Sequence, residues 1–117
     1  KPNSFDCVIL TTLLCSVPDP AEIVRDAHKM LKKGGKLYII EHMGDSLGLR
    51  AAFQVTAKLP WKWTTGCNCR NNPIPALSQP GLWAEEVKLE NAPLRLKKIS
   101  LMVELLKPFG MATLTKV

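Results

Sequence analysis

Two segments decide the fold of this chain: FDCVILTTLL at residues 5–14 and KLYIIEH at residues 36–42. The first is a nearly continuous run of apolar and β-branched residues, which is typical of a strand that helices cover on both faces. The second is a shorter run of the same kind. We therefore predict a buried parallel strand over residues 5–14, a second strand over residues 36–42, and the α/β fold class.

A helix is predicted between these strands. Asp19 is a favourable N-cap, and Pro20 suits the first helical position. Apolar residues then recur at helical spacing: Ile23, Ala27, Met30 and Leu31. Lysines fill the last turn, and Gly34 with Gly35 supplies a left-handed residue that ends the helix after Lys33. The order strand, helix, strand predicts a right-handed βαβ unit with parallel strands.

The rest of the chain has weaker patterns. Residues 47–59 carry apolar side chains at helical spacing, and we predict a helix that Pro60 ends. Residues 61–79 are rich in proline and tryptophan and indicate an irregular cover with one short helical turn. Residues 85–90 alternate between apolar and charged side chains, so we predict a half-exposed strand. Its expected antiparallel partner is the last segment, residues 110–117, with residues 94–106 as the excursion between the two strands.

Composition limits the class of protein. A chain of 117 residues with 46% hydrophobic and 22% charged residues fits a single globular domain. The net charge of +6 comes from residues 46–117, which hold ten basic and four acidic side chains. These basic residues are scattered, and no groove-reading helix or aromatic RNA-binding strand accompanies them, so a nucleic-acid partner is not predicted. No apolar run approaches the ~20 residues that cross a bilayer, so we expect no membrane span in this chain.

The cysteines do not form a recognisable framework. They are Cys7, Cys15, Cys67 and Cys69. The first two would be ~25 Å apart along one extended strand and cannot pair with each other. The last two have C-x-C spacing, and the two histidines, His28 and His42, fall in other elements. We therefore predict no metal site and reduced thiols, as in a cytosol-facing compartment.

The first half of the chain resembles a known family. The motifs that carry the resemblance are Ser4-Phe5-Asp6, Leu14-Cys15-Ser16-Val17, Gly34-Gly35, Glu41-His42, and Gly66-Cys67-Asn68 with Arg70. Together they resemble the C-terminal half of a class I S-adenosylmethionine-dependent methyltransferase, as its strand four, helix D and strand five. The methyltransferase-like protein 7 group, which are thiol S-methyltransferases, is the most similar. The resemblance covers most of residues 4–72.

The resemblance implies a function. It implies methyl transfer from S-adenosylmethionine to a small-molecule acceptor, with a thiol as the leading candidate. It also implies that residues 1–117 are a partial methyltransferase domain, the C-terminal half of a Rossmann-like sheet with its last two strands antiparallel. Enzymes of this class bind the cofactor with a Gly-rich loop after strand one, and this sequence contains no Gly-x-Gly. We therefore expect most of the cofactor site to lie upstream of Lys1, and the isolated chain to be inactive.

Candidate site residues follow the two predicted strands. Thr12, Leu13, Leu14 and Cys15 end the first strand, at the sheet edge where open α/β folds bind ligands, and they are our candidates for cofactor contacts. The alternative is that this segment is only the end of a buried strand. His42 ends the second strand at the same edge and is our candidate catalytic base, with simple packing as the alternative.

Two other functions stay open from the sequence. One is a non-catalytic Rossmann-like fragment or binding module that lacks the cofactor loop, and the other is a nicotinamide-dependent Rossmann enzyme. The expected location is the cytosol or the cytosolic face of an internal membrane, because the resemblance allows a membrane anchor upstream of Lys1.

Overall fold

The computed structural model describes residues 1–44, 48–91 and 109–117. Its elements in chain order are β1 (Phe5–Thr11), α1 (Pro20–Met30), β2 (Leu31–His42), α2 (Leu49–Thr65), α3 (Ile74–Leu77), β3 (Glu90–Asn91) and β4 (Phe109–Thr115). The four strands form one mixed sheet in the order β1-β2-β4-β3. The predicted α/β class is therefore confirmed.

The βαβ unit forms as the sequence predicts. β1 and β2 are parallel neighbours, with Val8 beside Leu37 and Thr11 beside Ile40. Between them α1 begins at Pro20, and the Asp19 carboxylate accepts hydrogen bonds from the backbone N–H groups of Ala21 and Glu22. This cap satisfies two of the N–H groups that the first turn of a helix leaves without partners.

β1 is shorter and more exposed than predicted. It ends at Thr11 instead of residue 14, because Thr12 has a positive φ of 46° and the chain turns there. β1 is also the outermost strand of the described sheet, and only Leu10 in it is buried. The prediction of a strand covered on both faces is therefore wrong for the described part of the chain.

The end of α1 also differs from the prediction. The helix ends at Met30, and Leu31 caps it in an extended conformation with φ −69° and ψ 141°. Gly34 does have a positive φ of 77°, but it lies in the irregular start of β2, four residues after the helix. The regular pairing with β1 begins at Lys36, as the sequence predicts.

α2 passes through the residue that was expected to stop it. It runs from Leu49 to Thr65 with Pro60 inside, and Gly66 ends it with a positive φ of 74°. A proline removes one backbone N–H and leaves the carbonyl four residues earlier, that of Thr56, without its helical partner. Thr56 and Pro60 are both exposed, so water can hydrate this carbonyl. The sequence prediction overestimated the cost of proline on a solvated helix face.

The last two strands are antiparallel, as predicted, but the first of them is very short. Among the described residues only Glu90 and Asn91 of β3 pair with β4, so the strand predicted over residues 85–90 forms only at its last residue. β4 also pairs antiparallel with β2, from Lys36 beside Thr115 to His42 beside Phe109. The predicted excursion over residues 94–106 lies outside the described residues.

One apolar core holds the sheet and helices together. Its fully or nearly fully buried members are Leu10, Leu14, Val24, Ala27, Leu31, Leu37, Ile39, Leu77 and Leu114. α1 contributes Val24 and Ala27, and α3 contributes Leu77. In the part of the chain that the structure describes, no helix is both long enough and apolar enough to cross a membrane.

Candidate functional site

The carboxyl ends of β1 and β2 lie side by side, and the loop after α2 packs against them. The backbone N–H of Asn68 donates to the carbonyl oxygen of Cys15 at 2.9 Å, and the N–H of Gly44 donates to the carbonyl of Asn71 at 3.0 Å. This loop therefore holds a fixed position over the edge where α/β folds bind ligands.

Glu41 organises the turn that follows β1. Its side chain is completely buried, and Oε1 accepts hydrogen bonds from the backbone N–H groups of Leu13 at 2.8 Å and Leu14 at 2.9 Å. These N–H groups would otherwise pair within a sheet, which explains why the strand does not continue. Among the described residues no partner reaches Oε2. Burial raises the pKa of Glu41, and the N–H donors of Leu14 and Leu13 oppose this shift.

The predicted cofactor residues divide into two pairs. Thr12 and Leu13 are exposed at the sheet edge, and Leu13 exposes 38% of its surface. Leu14 and Cys15 are buried, with 1% and 6% exposed. Thr12 and Leu13 can therefore contact a ligand at this edge directly, whereas Leu14 belongs to the core and supports the turn from below.

His42 lies among buried thiols. Its Nδ1 is 3.3 Å from Cys67 Sγ and 4.0 Å from Cys15 Sγ, and the two sulfur atoms are 2.7 Å apart. The Phe109 ring packs on the imidazole with 4.2 Å between ring centroids. Sequence reasoning missed the place of Cys67 here, because it searched for ligands close together in sequence. These three residues are separated by 25 to 52 positions.

Burial sets the protonation of this cluster. It lowers the pKa of His42, so the imidazole is neutral near pH 7. It also raises the pKa of the Cys67 thiol to about 12, and the hydrogen bond with Cys15 adds to the shift. Without another cation, Cys67 is therefore a protonated thiol and not a nucleophile.

A cleft opens beside the cluster. Its volume is about 410 Å³, and the residues that line it include Cys15, Ser16, Lys62, Gly66 and Asn68. Ligand clefts for small molecules usually have volumes of about 300–1,000 Å³. The cleft therefore has the size for a small acceptor and lies next to the turn that Glu41 holds.

The comparisons with known proteins agree with this fold. The family described as "Methyltransferase domain" matches residues 1–39. A putative methyltransferase from Bacillus halodurans has a similar structure, with a TM-score of 0.56, 22% identity, and coverage of 79% of this chain and 40% of that one. A methyltransferase from Methanosarcina mazei matches with a TM-score of 0.55 and 15% identity, over 99% of this chain and 61% of that one.

Curated relatives match over shorter stretches. The rat protein "Thiol S-methyltransferase TMT1B" is 34% identical over 61 residues, which are 51% of this chain and 25% of the relative. A "Ubiquinone biosynthesis O-methyltransferase" from Xanthomonas euvesicatoria is 46% identical over 39 residues, which are 33% of this chain and 16% of the relative. The matched part thus spans a quarter or less of the length of these relatives.

In part of its sequence and in its fold, the chain is similar to the S-adenosylmethionine-dependent methyltransferases. The cofactor of this class is S-adenosylmethionine. The residues described here fit one side of such a site. The turn after β1 continues from the exposed Leu13 into Leu14 and Cys15, which line the cleft, and the buried Glu41 carboxylate fixes its backbone.

Proposed function

We propose that this protein transfers a methyl group from S-adenosylmethionine to a small-molecule acceptor, and that the acceptor is a thiol. The observation that carries the proposal is the cleft at the carboxyl edge of β1 and β2, with the fixed turn on one side and the neutral imidazole of His42 close by. The relatives include both a thiol S-methyltransferase and an O-methyltransferase. The choice of a thiol is therefore the more specific part of the proposal.

The residues of the chain have two tasks in this reaction. The bound cofactor supplies a methyl group on a sulfonium, which a nucleophile displaces in line. Thr12 and Leu13 contact the cofactor at the sheet edge, while Leu14 and Cys15 support them from the buried side. Alignment of donor and acceptor supplies most of the catalysis in such a displacement. A thiol has a pKa of ~8.5, so it needs only modest help to ionise, and His42 takes its proton.

We also propose that residues 1–117 are part of a larger methyltransferase domain. This chain covers 40% and 61% of the two structurally similar proteins, and β1 has an exposed outer side in the described sheet. The proposed location is the cytosol or the cytosolic face of an internal membrane, which the four free cysteines support.

An activity assay on the full-length protein tests the function. Purified protein is incubated with S-adenosylmethionine and a panel of thiols and phenols, and methylated products are identified by mass spectrometry. We expect methylated thiols. If phenols alone are methylated, the thiol is the wrong acceptor; if the protein neither binds the cofactor nor methylates any acceptor, it is a non-catalytic module.

A pair of matched variants locates the cofactor side. Leu13→Glu places a charge on the exposed turn, and we expect KM for S-adenosylmethionine to rise by about tenfold or more. Val117→Glu is the control, because Val117 is also an exposed apolar residue but lies at the opposite end of the sheet, beyond Lys116 and Gly35. Equal effects of the two substitutions would remove the turn from the cofactor site.

A further inference from the structure

Three potential metal ligands meet at one point beside the cleft. They are Cys15 Sγ, His42 Nδ1 and Cys67 Sγ, and all three atoms lie within 4.8 Å of one another. They come from the turn after β1, the end of β2 and the loop after α2. Cys15 and Cys67 are buried and His42 is half-buried, so the tertiary fold holds the three atoms together.

The distances between the imidazole and the two sulfur atoms suit a bound zinc ion. Zinc binds thiolate at about 2.3 Å and imidazole at about 2.0–2.1 Å, so its tetrahedral ligand atoms are about 3.4–3.8 Å apart. The two sulfur-to-nitrogen distances, 3.3 and 4.0 Å, are close to this range. The two sulfur atoms, at 2.7 Å, would have to separate by about 1 Å. A disulfide would instead require the two sulfur atoms to approach to about 2.05 Å, and it would not involve the imidazole that converges on them.

We propose that Cys15, His42 and Cys67 bind one zinc ion, with the fourth coordination position open toward the cleft. Among the described residues no further histidine, cysteine or carboxylate joins the cluster as a fourth ligand. Cys69 is buried nearby, but its thiol faces the carbonyl oxygen of Gln54 at 3.7 Å. Three protein ligands with one open position is the arrangement of catalytic zinc sites, and two cysteines with one histidine is a known ligand set of this kind.

The surroundings of the three ligands support an ion. The hydrogen bond from Asn68 N–H to the Cys15 carbonyl joins the two cysteine-bearing segments, and Phe109 packs on the imidazole. In the part of the chain that the structure describes, the buried indole N–H of Trp61 has no hydrogen-bond partner. The Trp61 side chain lies close to Cys67, so this N–H can donate to a zinc-bound thiolate there.

The open position gives the acceptor a binding mode, and this step rests on the proposed function. A thiol from the cleft displaces water from zinc, loses its proton to solvent and remains bound as a thiolate. Its sulfur then forms the bond to the methyl group as the bond from that group to the sulfonium breaks. The thioether product has no negative charge, so it binds zinc more weakly and leaves. In this form of the protein His42 is a zinc ligand, and the ion replaces it as the group that promotes deprotonation.

Cobalt titration tests the site without any assay of methyl transfer. The full-length protein is reduced, freed of metal with a chelator and titrated with Co²⁺. We expect one equivalent to bind and to give the visible absorption of tetrahedral cobalt together with a thiolate-to-cobalt charge-transfer band. Cys15→Ser and Cys67→Ser should each abolish the spectrum. His42→Cys should keep it and strengthen the charge-transfer band, because a third thiolate replaces the imidazole.

The other two cysteines provide matched controls. Cys7→Ser changes an exposed thiol and Cys69→Ser a buried one, and both should leave the cobalt spectrum unchanged. Loss of the spectrum in Cys69→Ser would overturn the open fourth position. A reduced wild-type protein that binds no cobalt, or that forms a Cys15–Cys67 disulfide in air and shows no metal affinity after reduction, would overturn the site itself.

Addition of 2-mercaptoethanol to the cobalt protein tests the acceptor separately. We expect the charge-transfer band to intensify as a third thiolate binds. If cobalt binds but the thiol changes nothing, the metal site stands and zinc activation of the acceptor is wrong. If the thiol binds cobalt and no methyl transfer is found in the activity assay, the proposed function fails and the site does not.

Discussion

Glu41 is the residue that most changes the local structure. The sequence places Glu41 inside an apolar strand pattern. Such a pattern does not show that the carboxylate accepts hydrogen bonds from the N–H groups of Leu13 and Leu14. The end of β1 at Thr11 depends on this tertiary contact. Glu41 is 28 positions from Leu13 and 27 positions from Leu14 in the sequence. For that reason the position of the turn could be predicted only roughly, while the sheet edge to which it belongs could be predicted well.

Substitution of Glu41 separates its hydrogen bonds from its charge. Glu41→Ala leaves two backbone N–H groups without an acceptor, and we expect the free energy of unfolding to fall by about 2–4 kcal/mol. Glu41→Gln keeps an acceptor oxygen and should lose much less. Urea denaturation of both variants measures the difference. Equal losses would mean that the carboxylate charge, and not the acceptor oxygen, holds the turn.

The charge of Glu41 has its own pH dependence. Its pKa is raised in the folded state, so the folded protein binds this proton more tightly than the unfolded chain does. This contribution to stability is complete below the ordinary pKa of 4.5 and is lost as pH rises through the folded value. Glu41→Gln carries no such charge, so its stability relative to wild type should improve as pH rises from about 4 to 8. A constant difference across this range would contradict the raised pKa.

His42 offers a test of the chemistry at the same scale. In the full-length protein His42→Ala should lower turnover of a thiol acceptor by ~10²-fold or more near neutral pH. The loss should shrink above the pKa of the acceptor thiol, because the acceptor then ionises unaided. Turnover rates of the wild type and the variant, measured with one thiol from pH 6 to about 10, test whether the loss shrinks in this way. A loss that is the same at every pH would leave alignment or packing as the only role of His42.

The zinc inference predicts a different result for His42→Cys. This variant removes the imidazole but keeps a metal ligand, so it should retain far more activity than His42→Ala if zinc activates the acceptor. If the two variants lose activity equally and His42→Cys still binds cobalt, the imidazole acts as the base in the working enzyme.

At the scale of elements, α1 carries a histidine that should make stability depend on pH. His28 lies in the last turn of α1, with its ring edge-to-face against Trp83 at 5.3 Å. Burial lowers its pKa, and the nearby Lys116 charge adds to this effect. Among the described residues His28 Nε2 has no hydrogen-bond partner. The folded state therefore favours the neutral imidazole.

The sign of this effect is fixed by the lowered pKa. Above the ordinary pKa of 6.5, His28 is neutral in both the folded and the unfolded protein. As pH falls below 6.5, His28 of the unfolded chain binds a proton, whereas His28 of the folded protein stays neutral to lower pH. Stability should therefore decrease from about pH 7.5 to pH 5, and His28→Gln should flatten part of the decrease. Urea midpoints over this range measure it. Lys29→Gln changes a neighbouring exposed residue and is the control. The pKa of His42 is also lowered, so His42 accounts for part of the pH dependence of stability that remains in His28→Gln.

β1 should make the 117-residue chain self-associate. It is the outermost strand of the described sheet, and Ile9 in it exposes 66% of its surface. An exposed apolar edge strand pairs readily with a second copy unless a charge interrupts it. We expect dimers or larger species in analytical ultracentrifugation, and Ile9→Lys should reduce them. Val55→Lys changes a similarly exposed residue, 58% accessible, on α2 and should have no such effect. A monodisperse wild-type chain would contradict this account of the edge.

For the whole molecule, apolar patterning predicted the βαβ unit and the antiparallel end, because each depends on local periodicity. It did not predict that Cys15 and Cys67 would meet, since nothing in their spacing indicates how the loop after α2 folds back. It also overestimated the local effect of Pro60, because propensity does not show which helix face is solvated. The strand ends that carry the candidate residues were therefore predictable, and the long-range contacts that the loop after α2 makes with them were not.

The cofactor site provides the last prediction. Residues 1–117 contain the carboxyl edge of two parallel strands but no Gly-x-Gly loop, and backbone approach to the cofactor in Rossmann-like sites depends on such a loop. Thr12 and Leu13 alone present one exposed turn, which supplies too few contacts to offset the entropy lost on binding. Isothermal titration of the 117-residue chain with S-adenosylmethionine should therefore show no saturable binding, while a longer form of the protein that includes an upstream glycine-rich loop should bind. Micromolar binding by the 117-residue chain would show that the turn, the cleft and the cysteine cluster form a sufficient cofactor site without that loop.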